Sequence, residues 1–385
     1  MSEPPKPPYG RLSTFYFFYF ATLGILAPYW ALYLQSLGFS SREIGELLAI
    51  LMGTKLIAPY IWGWIADHTG KRVRVIQLGA FLAAVTFLMV YQVSSYWAMA
   101  GVMMLYSFFW NAIIAQFDAI TMNHLGKEHH RYSVIRSWGS IGFIVTVMLL
   151  GPLIDQYGAR VILPILTLVF SMIWLSAMVI PPDRGYQVSD TDAVEKVLDI
   201  IMRPEVMALF IVCFLMQFSH GPYYAFFSIY MEQHDYSKTM IGQYWALGVL
   251  AEVVLFLVIA RLIKRYGAKR LMVASMAIAA VRWTLTAWFI ESPLILLFSQ
   301  MMHAATFGLY HAVAIYYFHH YFTGKLQGRG QALYSSVSFG AGGALGSLMS
   351  GYSWAALGPA VTYMIASGSV AVAAVIAIIA MRDVD

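Results

Sequence analysis

The chain has 385 residues, of which 60% are apolar and 11% charged, against roughly 25% charged in an ordinary soluble domain. No soluble fold of this length could bury that much apolar surface, so a soluble globular protein is excluded. The net charge of +5 sits in short polar hairpins between apolar runs and is read by side of membrane, not as a nucleic-acid footprint.

The polar, proline-rich start, 1–10, has no small-residue cleavage site behind a short apolar core and reads as a cytoplasmic tail. Apolar runs then follow at 11–35, 43–66, 73–93, 96–123, 131–154 and 159–180. Each is about 20 residues or more, enough to cross a hydrocarbon core of ~30 Å at about 1.5 Å per residue. The polar segment 181–203 carries Asp183, Arg184, Asp190, Asp192, Glu195, Lys196 and Asp199, and is the one long connection. Six further runs follow at 204–231, 239–262, 270–290, 293–320, 329–352 and 358–381. The expected fold is an all-α integral membrane protein with twelve transmembrane helices. Its two six-helix halves are 1–180 and 204–385, joined by the cytoplasmic loop 181–203.

A repeat supports the two halves. Gly63-Trp-Ile-Ala-Asp-His-Thr-Gly-Lys-Arg72 is a tight basic hairpin, with Asp67 closing one run and Lys71, Arg72 and Arg74 opening the next. A worn copy, Ala260-Arg-Leu-Ile-Lys-Arg-Tyr-Gly-Ala-Lys-Arg270, places Gly267 where Gly70 stands and Lys264 where Asp67 stands. Ile44-Gly45 with Ile241-Gly242, and Gly126-Lys127 with Gly324-Lys325, repeat at nearly the same offset. The chain is therefore a tandem duplication. Of its 24 Lys and Arg, only Arg42, Arg160 and Lys238 fall on the side opposite the termini, and Lys55, Arg136 and Arg282 lie inside runs. By the positive-inside rule the termini and the central loop are cytoplasmic, in a multi-pass plasma membrane protein, the bacterial inner membrane being the expected location. The single Cys213 permits no intrachain disulfide.

Two six-helix halves repeated in parallel resemble the major facilitator superfamily, and Gly63–Arg72 looks like that superfamily's G-x-x-x-D-x-x-G-[RK]-[RK] signature. The resemblance implies alternating access about a substrate site near the bilayer midplane. It also implies a gating role for Asp67, Lys71 and Arg72, whose charge pairs break and reform as the halves move; a helix-capping role for Asp67 is the plainer alternative. Gly24-Ile-Leu-Ala-Pro-Tyr29, Ala58-Pro-Tyr-Ile-Trp-Gly-Trp64, Arg136-Ser-Trp-Gly-Ser-Ile-Gly-Phe143, Gln300-Met-Met-His-Ala-Ala-Thr-Phe-Gly-Leu-Tyr-His311 and Gly328-Arg-Gly-Gln-Ala-Leu-Tyr-Ser335 look like the phenylpropionate permease branch. That branch is related to lactose permease and to nucleoside–proton symporters. The implied activity is proton-coupled uptake of a small organic solute such as an aromatic carboxylate.

Ionisable groups inside spans cost several kcal/mol unless paired or hydrated, so each is a functional candidate. Ser107, Asn111 and Asp118 fall on one stripe of the fourth span. Arg136 lies one turn inside the fifth, so a pair with Asp118 is expected, serving either substrate binding or closure of the cytoplasmic end. Lactose permease carries an acid and an arginine in the same helices. Glu252, with Trp245 and Gly248 on its stripe, is a candidate proton carrier or a partner of Arg282. Arg282 and His303 match the arginine and histidine of the proton machinery of lactose permease. The related His-x-x-Glu reads His303-Ala-Ala-Thr306 here and lacks its carboxylate. Proton coupling is thus assigned to Asp118, Glu252 and His303.

Substrate binding is assigned to Arg136, Lys55, Asn111, His220, Tyr224, Arg282 and His311. Gln217, His220, Tyr224 and Ser228 form a polar stripe on the seventh span, and Pro222 is expected to kink it by removing a backbone hydrogen bond. His311 has Phe307 and Tyr310 on the same side. It lies about 12 Å along the axis from His303, too far to share one metal. Lys55 either attracts a substrate carboxylate or pairs with an acid. Tyr16, Phe20, Trp30, Tyr106, Phe109, Trp110, Tyr223 and Tyr224 stack on a flat substrate or pack structurally. No Walker-type loop, cofactor motif or metal spacing is present. The cations Lys55, Arg136 and Arg282 outnumber Asp118 and Glu252, favouring an anionic solute. The expected protein is a monomeric, non-enzymatic, proton-coupled importer in contact with the lipid bilayer. A sugar or nucleoside symporter, a drug efflux carrier and a non-transporting sensor are the alternatives.

Overall fold

The computed structural model describes residues 7–183 and 193–384. Among these the chain is helical almost throughout, with no strand, and ten helices are long and apolar enough to cross a membrane. The first six are α1 (Tyr9–Ser36), α2 (Ser41–Thr69), α3 (Arg72–Gln92), α4 (Tyr96–Leu125), α5 (Tyr132–Tyr157) and α6 (Ala159–Met178). Then come α7 (Pro204–Gln233), α8 (Lys238–Phe256) and α9 (Ala268–Trp288). Apolar side chains also cover the outside: Leu257, Leu294 and Ile379 are 78, 76 and 78% exposed. Helices apolar on every face suit lipid, not water.

The remaining helices are interrupted. The expected tenth span is α10 (293–321), in which a π-helical stretch, Ala304–Leu309, separates Pro293–Met301 from Tyr310–Tyr321. The expected eleventh and twelfth lie in one 54-residue helical segment, Gln327–Ala380. It breaks at Gly358, whose φ of 82° and ψ of 175° are not helical, immediately before Pro359. We name its parts α11 (327–357) and α12 (359–380). The expected span 239–262 also breaks, between Phe256 and Ile259, leaving a separate basic-ended turn, Ile259–Tyr266. The connection 181–203, read as a polar loop, contains a short helix, Ala193–Ile201; its Arg184, Asp190 and Asp192, like Met1–Lys6 of the tail, lie outside the described residues.

The helices group into two compact units. One comprises Met1–Leu26 and Ile57–Ser189, the other Ala27–Leu56 and Asp190–Asp385. Two borders fall inside helices, each beside a proline, Pro28 in α1 and Pro59 in α2. A proline lacks the N–H that would tie it to the preceding turn.

Within the first unit α1 and α5 approach backbone to backbone: a Cβ on Gly142 would lie 2.1 Å from the Phe17 carbonyl oxygen. Small residues at such crossings replace the missing hydrophobic drive with close packing. Ala58, Trp62, Ala66, Val75 and Ala112 form a further core in that unit. Within the second unit, α2 crosses α11 where Gly45 meets Gly351, a Cβ on Gly45 lying 2.6 Å from the Gly351 Cα. The adjacent Glu46 accepts hydrogen bonds from Arg42 Nε at 3.1 Å and from the Tyr352 hydroxyl at 2.7 Å. A capping box made by Ser40 and Glu43 starts α2, satisfying two backbone donors that would otherwise be orphaned.

Candidate functional site

In the first unit, Asp118 of α4 is half-buried and accepts two phenol hydroxyls, from Tyr16 of α1 at 2.5 Å and Tyr132 of α5 at 3.1 Å. Arg136, a turn further along α5, lays its guanidinium over the Phe20 ring at 3.7 Å and beside the Tyr16 ring at 5.3 Å. The expected ion pair between Asp118 and Arg136 is thus replaced by a shared neighbour, Tyr16. Among the described residues Arg136 has no carboxylate within ion-pair distance; aromatic faces hold it, each contact contributing about 0.5–2 kcal/mol. Such faces stabilise a cation while leaving its N–H donors for an anion. Asn111 and Ser107 are buried on the same helix as Asp118.

The hairpin between α2 and α3 turns at Gly70, whose φ of 63° is left-handed, a conformation that favours glycine. Arg72 is the hub: Nη2 donates to Asp67 Oδ1 at 3.2 Å, Nε to Gln116 Oε1 at 3.0 Å, and Nη1 lies 3.7 Å from Asp183 Oδ2. Asp183 is in turn held by Asn123 Nδ2 at 2.9 Å. Lys71 is exposed, and its backbone N–H donates to the Thr69 hydroxyl at 3.4 Å. Gln116, Asn123 and Asp183 therefore complete a network of which the motif shows only Asp67 and Arg72.

The second unit holds the densest buried polar cluster. Arg282 of α9 is 0% exposed. Its Nη1 donates to Thr306 Oγ1 at 2.8 Å and lies 3.0 Å from His303 Nδ1; its Nη2 is 3.5 Å from Gln300 Oε1. The Tyr223 and Trp283 rings lie 4.4 and 4.6 Å from its guanidinium carbon. On the other side of the imidazole, His303 Nε2 is 3.7 Å from Glu252 Oε2. His303 thus stands between Arg282 and Glu252, which sequence reasoning paired directly. Gly308, in the π-helical stretch, leaves room for the Glu252 stem, which a Cβ there would meet at 2.8 Å; π-turns are frequent at functional sites.

His220 reaches the same cluster at the break in α7, where the helix ends at Ser219 and restarts at Gly221 ahead of Pro222. Its Nδ1 lies 2.8 Å from the Met216 carbonyl, an acceptor only, so Nδ1 carries the hydrogen. Among the described residues its Nε2 is buried without a hydrogen-bond partner, as are Gln217 Nε2, Gln300 Nε2 and Arg282 Nε. Tyr223 donates to Gln300 Oε1 at 3.0 Å, and Tyr224 stacks on His220 with ring centroids 5.7 Å apart. Gln300 and Trp283 were not singled out in the sequence, although Gln300 lies one turn from His303 and Trp283 is next to Arg282; Thr306 was noted there only as the position that lacks a carboxylate.

The remaining candidates stand apart. Lys55, in a 3-10 turn of α2, donates to the Met52 sulfur at 3.6 Å, and among the described residues no carboxylate lies within ion-pair distance of it. His311 Nδ1 lies 2.8 Å from the Tyr334 hydroxyl. Phe307 stacks between His303 and His311, at 5.3 and 6.0 Å. Tyr310 faces elsewhere, donating to the Cys213 carbonyl at 3.2 Å.

A family model described as the MFS_1 like family matches residues 9–365. The chain is 30% identical over 363 residues to the probable 3-phenylpropionic acid transporter of Escherichia coli K12, covering 91% of this chain and 92% of that one. It is 27% identical over 346 residues to the maltose permease of Geobacillus stearothermophilus, covering 88% and 86%. Its fold matches the crystal structure of the nucleoside transporter NupG with a TM-score of 0.83 at 19% identity, over 96% of this chain and 98% of that one. The D-xylose–proton symporter structure matches at 0.74 and 13% identity, over 97% of each. With membrane-spanning helices throughout and a family match over nearly its whole length, the chain belongs to the MFS_1 like family of major facilitator transporters, which are not enzymes.

Proposed function

We propose that this transporter imports a small organic anion, an aromatic carboxylate such as 3-phenylpropionate, together with a proton. The observation that carries the reading is Arg136, a guanidinium within the membrane helices resting on Phe20 at 3.7 Å with no carboxylate partner among the described residues. A charge kept in that setting costs several kcal/mol unless something anionic meets it, and two of its N–H groups match a carboxylate's two oxygens. The relative from Escherichia coli supports the same solute class. In this reading Glu252 and His303 serve proton coupling, and Arg282 adds positive charge in the second unit. Asp67, Arg72 and Lys71 belong to the gate. The chain has twelve crossings in two halves, 1–180 and 204–385, with both termini cytoplasmic in a bacterial inner membrane.

The test is Arg136→Lys, which keeps the charge and loses the planar fork. Binding of 3-phenylpropionate to purified protein should weaken at least tenfold, about 1.4 kcal/mol. Unchanged affinity would leave Arg136 structural. A neutral polyhydroxyl solute is the second reading, favoured by one observation: Gln217, Gln300 and His220 present buried donors and an acceptor that have no partner among the described residues. In that case sugars or nucleosides, not the acid, would bind.

A further inference from the structure

Where α7 begins and where α10 and α12 end, the second unit holds a cavity of about 290 Å³, apart from every residue assigned to transport. Arg203 and Glu205 line it from the start of α7, His320 and Tyr321 from the last turn of α10, and Arg382 and Asp383 from the residues after α12. Both arginines are carried on a pinned backbone. Arg203 joins the short helix Ala193–Ile201 to α7: its N–H donates to the Ile200 carbonyl at 3.2 Å, and its carbonyl accepts from the N–H groups of Val206 and Met207 at 3.0 and 2.9 Å. Arg382 follows the buried Met381, and its carbonyl accepts the Tyr317 hydroxyl at 2.9 Å. A side chain held this way has less freedom to lose when a ligand arrives.

The acids of the cavity are engaged elsewhere. Asp383 Oδ1 accepts the Lys269 N–H in the first turn of α9 at 3.2 Å. Glu205 lies in the first turn of α7, where the positive end of the helix favours its charge. Among the described residues neither Arg203 nor Arg382 has a carboxylate within ion-pair distance. Guanidinium N–H groups donate only, so two forks face one cavity and call for an acceptor rich in oxygen. A carboxylate has two oxygens and fills one fork. A phosphate group has three or more and can fill both.

We propose that this cavity binds a phosphate group, with Arg203 and Arg382 each giving it charge-assisted hydrogen bonds and so tying the start of α7 to the segment after α12. The site is independent of the solute that the transporter carries. Two sources supply such a group at the ends of membrane helices: a soluble phosphate, or the headgroup of a phospholipid. For a lipid, Met207 and Ile211, one and two turns along α7 from Arg203, are 42 and 44% exposed and give an acyl chain an apolar wall.

The experiment is titration calorimetry on the full chain, delipidated in a non-ionic detergent at constant ionic strength. One arm adds inorganic phosphate, with chloride as the blank. The other adds phosphatidylglycerol in the same micelles, with diacylglycerol as the blank. Saturable binding in at least one arm is expected, and the arm that responds at the lower concentration names the source. Arg203→Gln and Arg382→Gln should each weaken that binding about tenfold or more, the loss typical of a hydrogen bond to a charged group. Arg261→Gln removes the same charge from an exposed position outside the cavity and should bind as the wild type does. No binding in either arm, or binding that both cavity variants leave unchanged, overturns the site. An equal loss in Arg261→Gln overturns it as well, since diffuse surface charge would then account for the signal. Should one cavity variant fail to fold, the other, carried on a different helix end, decides: weakened binding supports the site and unchanged affinity refutes it.

Discussion

Replacing Gly142 by alanine puts a methyl group 2.1 Å from the Phe17 carbonyl oxygen, where ordinary contact begins at 3.4 Å. Both neighbours are backbone, so no side chain can rotate away; α1 and α5 must separate by about 1.3 Å at this level. Overpacking typically costs about 1–3 kcal/mol, and a backbone clash belongs at the upper end, about 3 kcal/mol. At roughly 2–4 °C per kcal/mol for chains of a few hundred residues, the melting temperature in detergent should fall by roughly 6–12 °C. The same movement lifts Phe20, one turn from Phe17, off the Arg136 guanidinium and forfeits part of a contact of about 0.5–2 kcal/mol. Binding of 3-phenylpropionate should weaken a few-fold as well. Gly101→Ala is the control, because nothing lies within 4 Å of the position its Cβ would occupy; it should be neutral, or stabilising by up to about 1 kcal/mol. Tryptophan fluorescence gives the melting curves and titration calorimetry the binding. Equal melting temperatures for the two variants would refute the packing argument.

Two further predictions concern the polar sites of the first unit. Tyr16→Phe deletes one of two hydroxyls on Asp118 but keeps the ring beside Arg136. With Asp118 freed to pair with Arg136, 3-phenylpropionate affinity should drop about tenfold, 1.4 kcal/mol, and an unchanged dissociation constant would remove Tyr16 from the site. In the hairpin network, Asp183 is 12% and Asp67 40% exposed at the side chain. Asp183→Asn should therefore destabilise by about 1–2 kcal/mol and Asp67→Asn by under about 1 kcal/mol, read as melting temperatures; the reverse order would show that distance to Arg72 outweighs burial.

The long apolar helices were legible because run length is one-dimensional. Apolar runs bounded by charges at Lys71–Arg74 or Lys264–Arg270 mark crossings whatever lies beside them. What neighbours what was less so. The stripe through Asp118 pointed toward Arg136, yet the groups that take its oxygens, Tyr16 and Tyr132, are two of 25 tyrosines, and nothing in their spacing sets them apart. The charges Glu252, Arg282 and His303 stood out as costly in lipid and do come together, but their order along a line needed coordinates. The π-helical stretch at Ala304–Leu309 leaves no trace in hydrophobic periodicity. Neither does the grouping of Ala27–Leu56 with the second unit, since a pattern of apolar faces shows that a helix is buried without naming its partner.

That grouping bears on how the protein is made. Gly45 leaves the ribosome long before Gly351, on which it closes. The stretch Ala27–Leu56 must therefore wait in the bilayer while most of the chain is added. What can hold it meanwhile is local: the Ser40–Glu43 capping box at the start of α2, and the lipid itself, which satisfies an apolar helix without tertiary partners. Truncated chains ending before α11 should insert with α1 and α2 formed yet leave the glycine face of α2 accessible to membrane-embedded quality control. A fault in α11 would thus be felt first in α2.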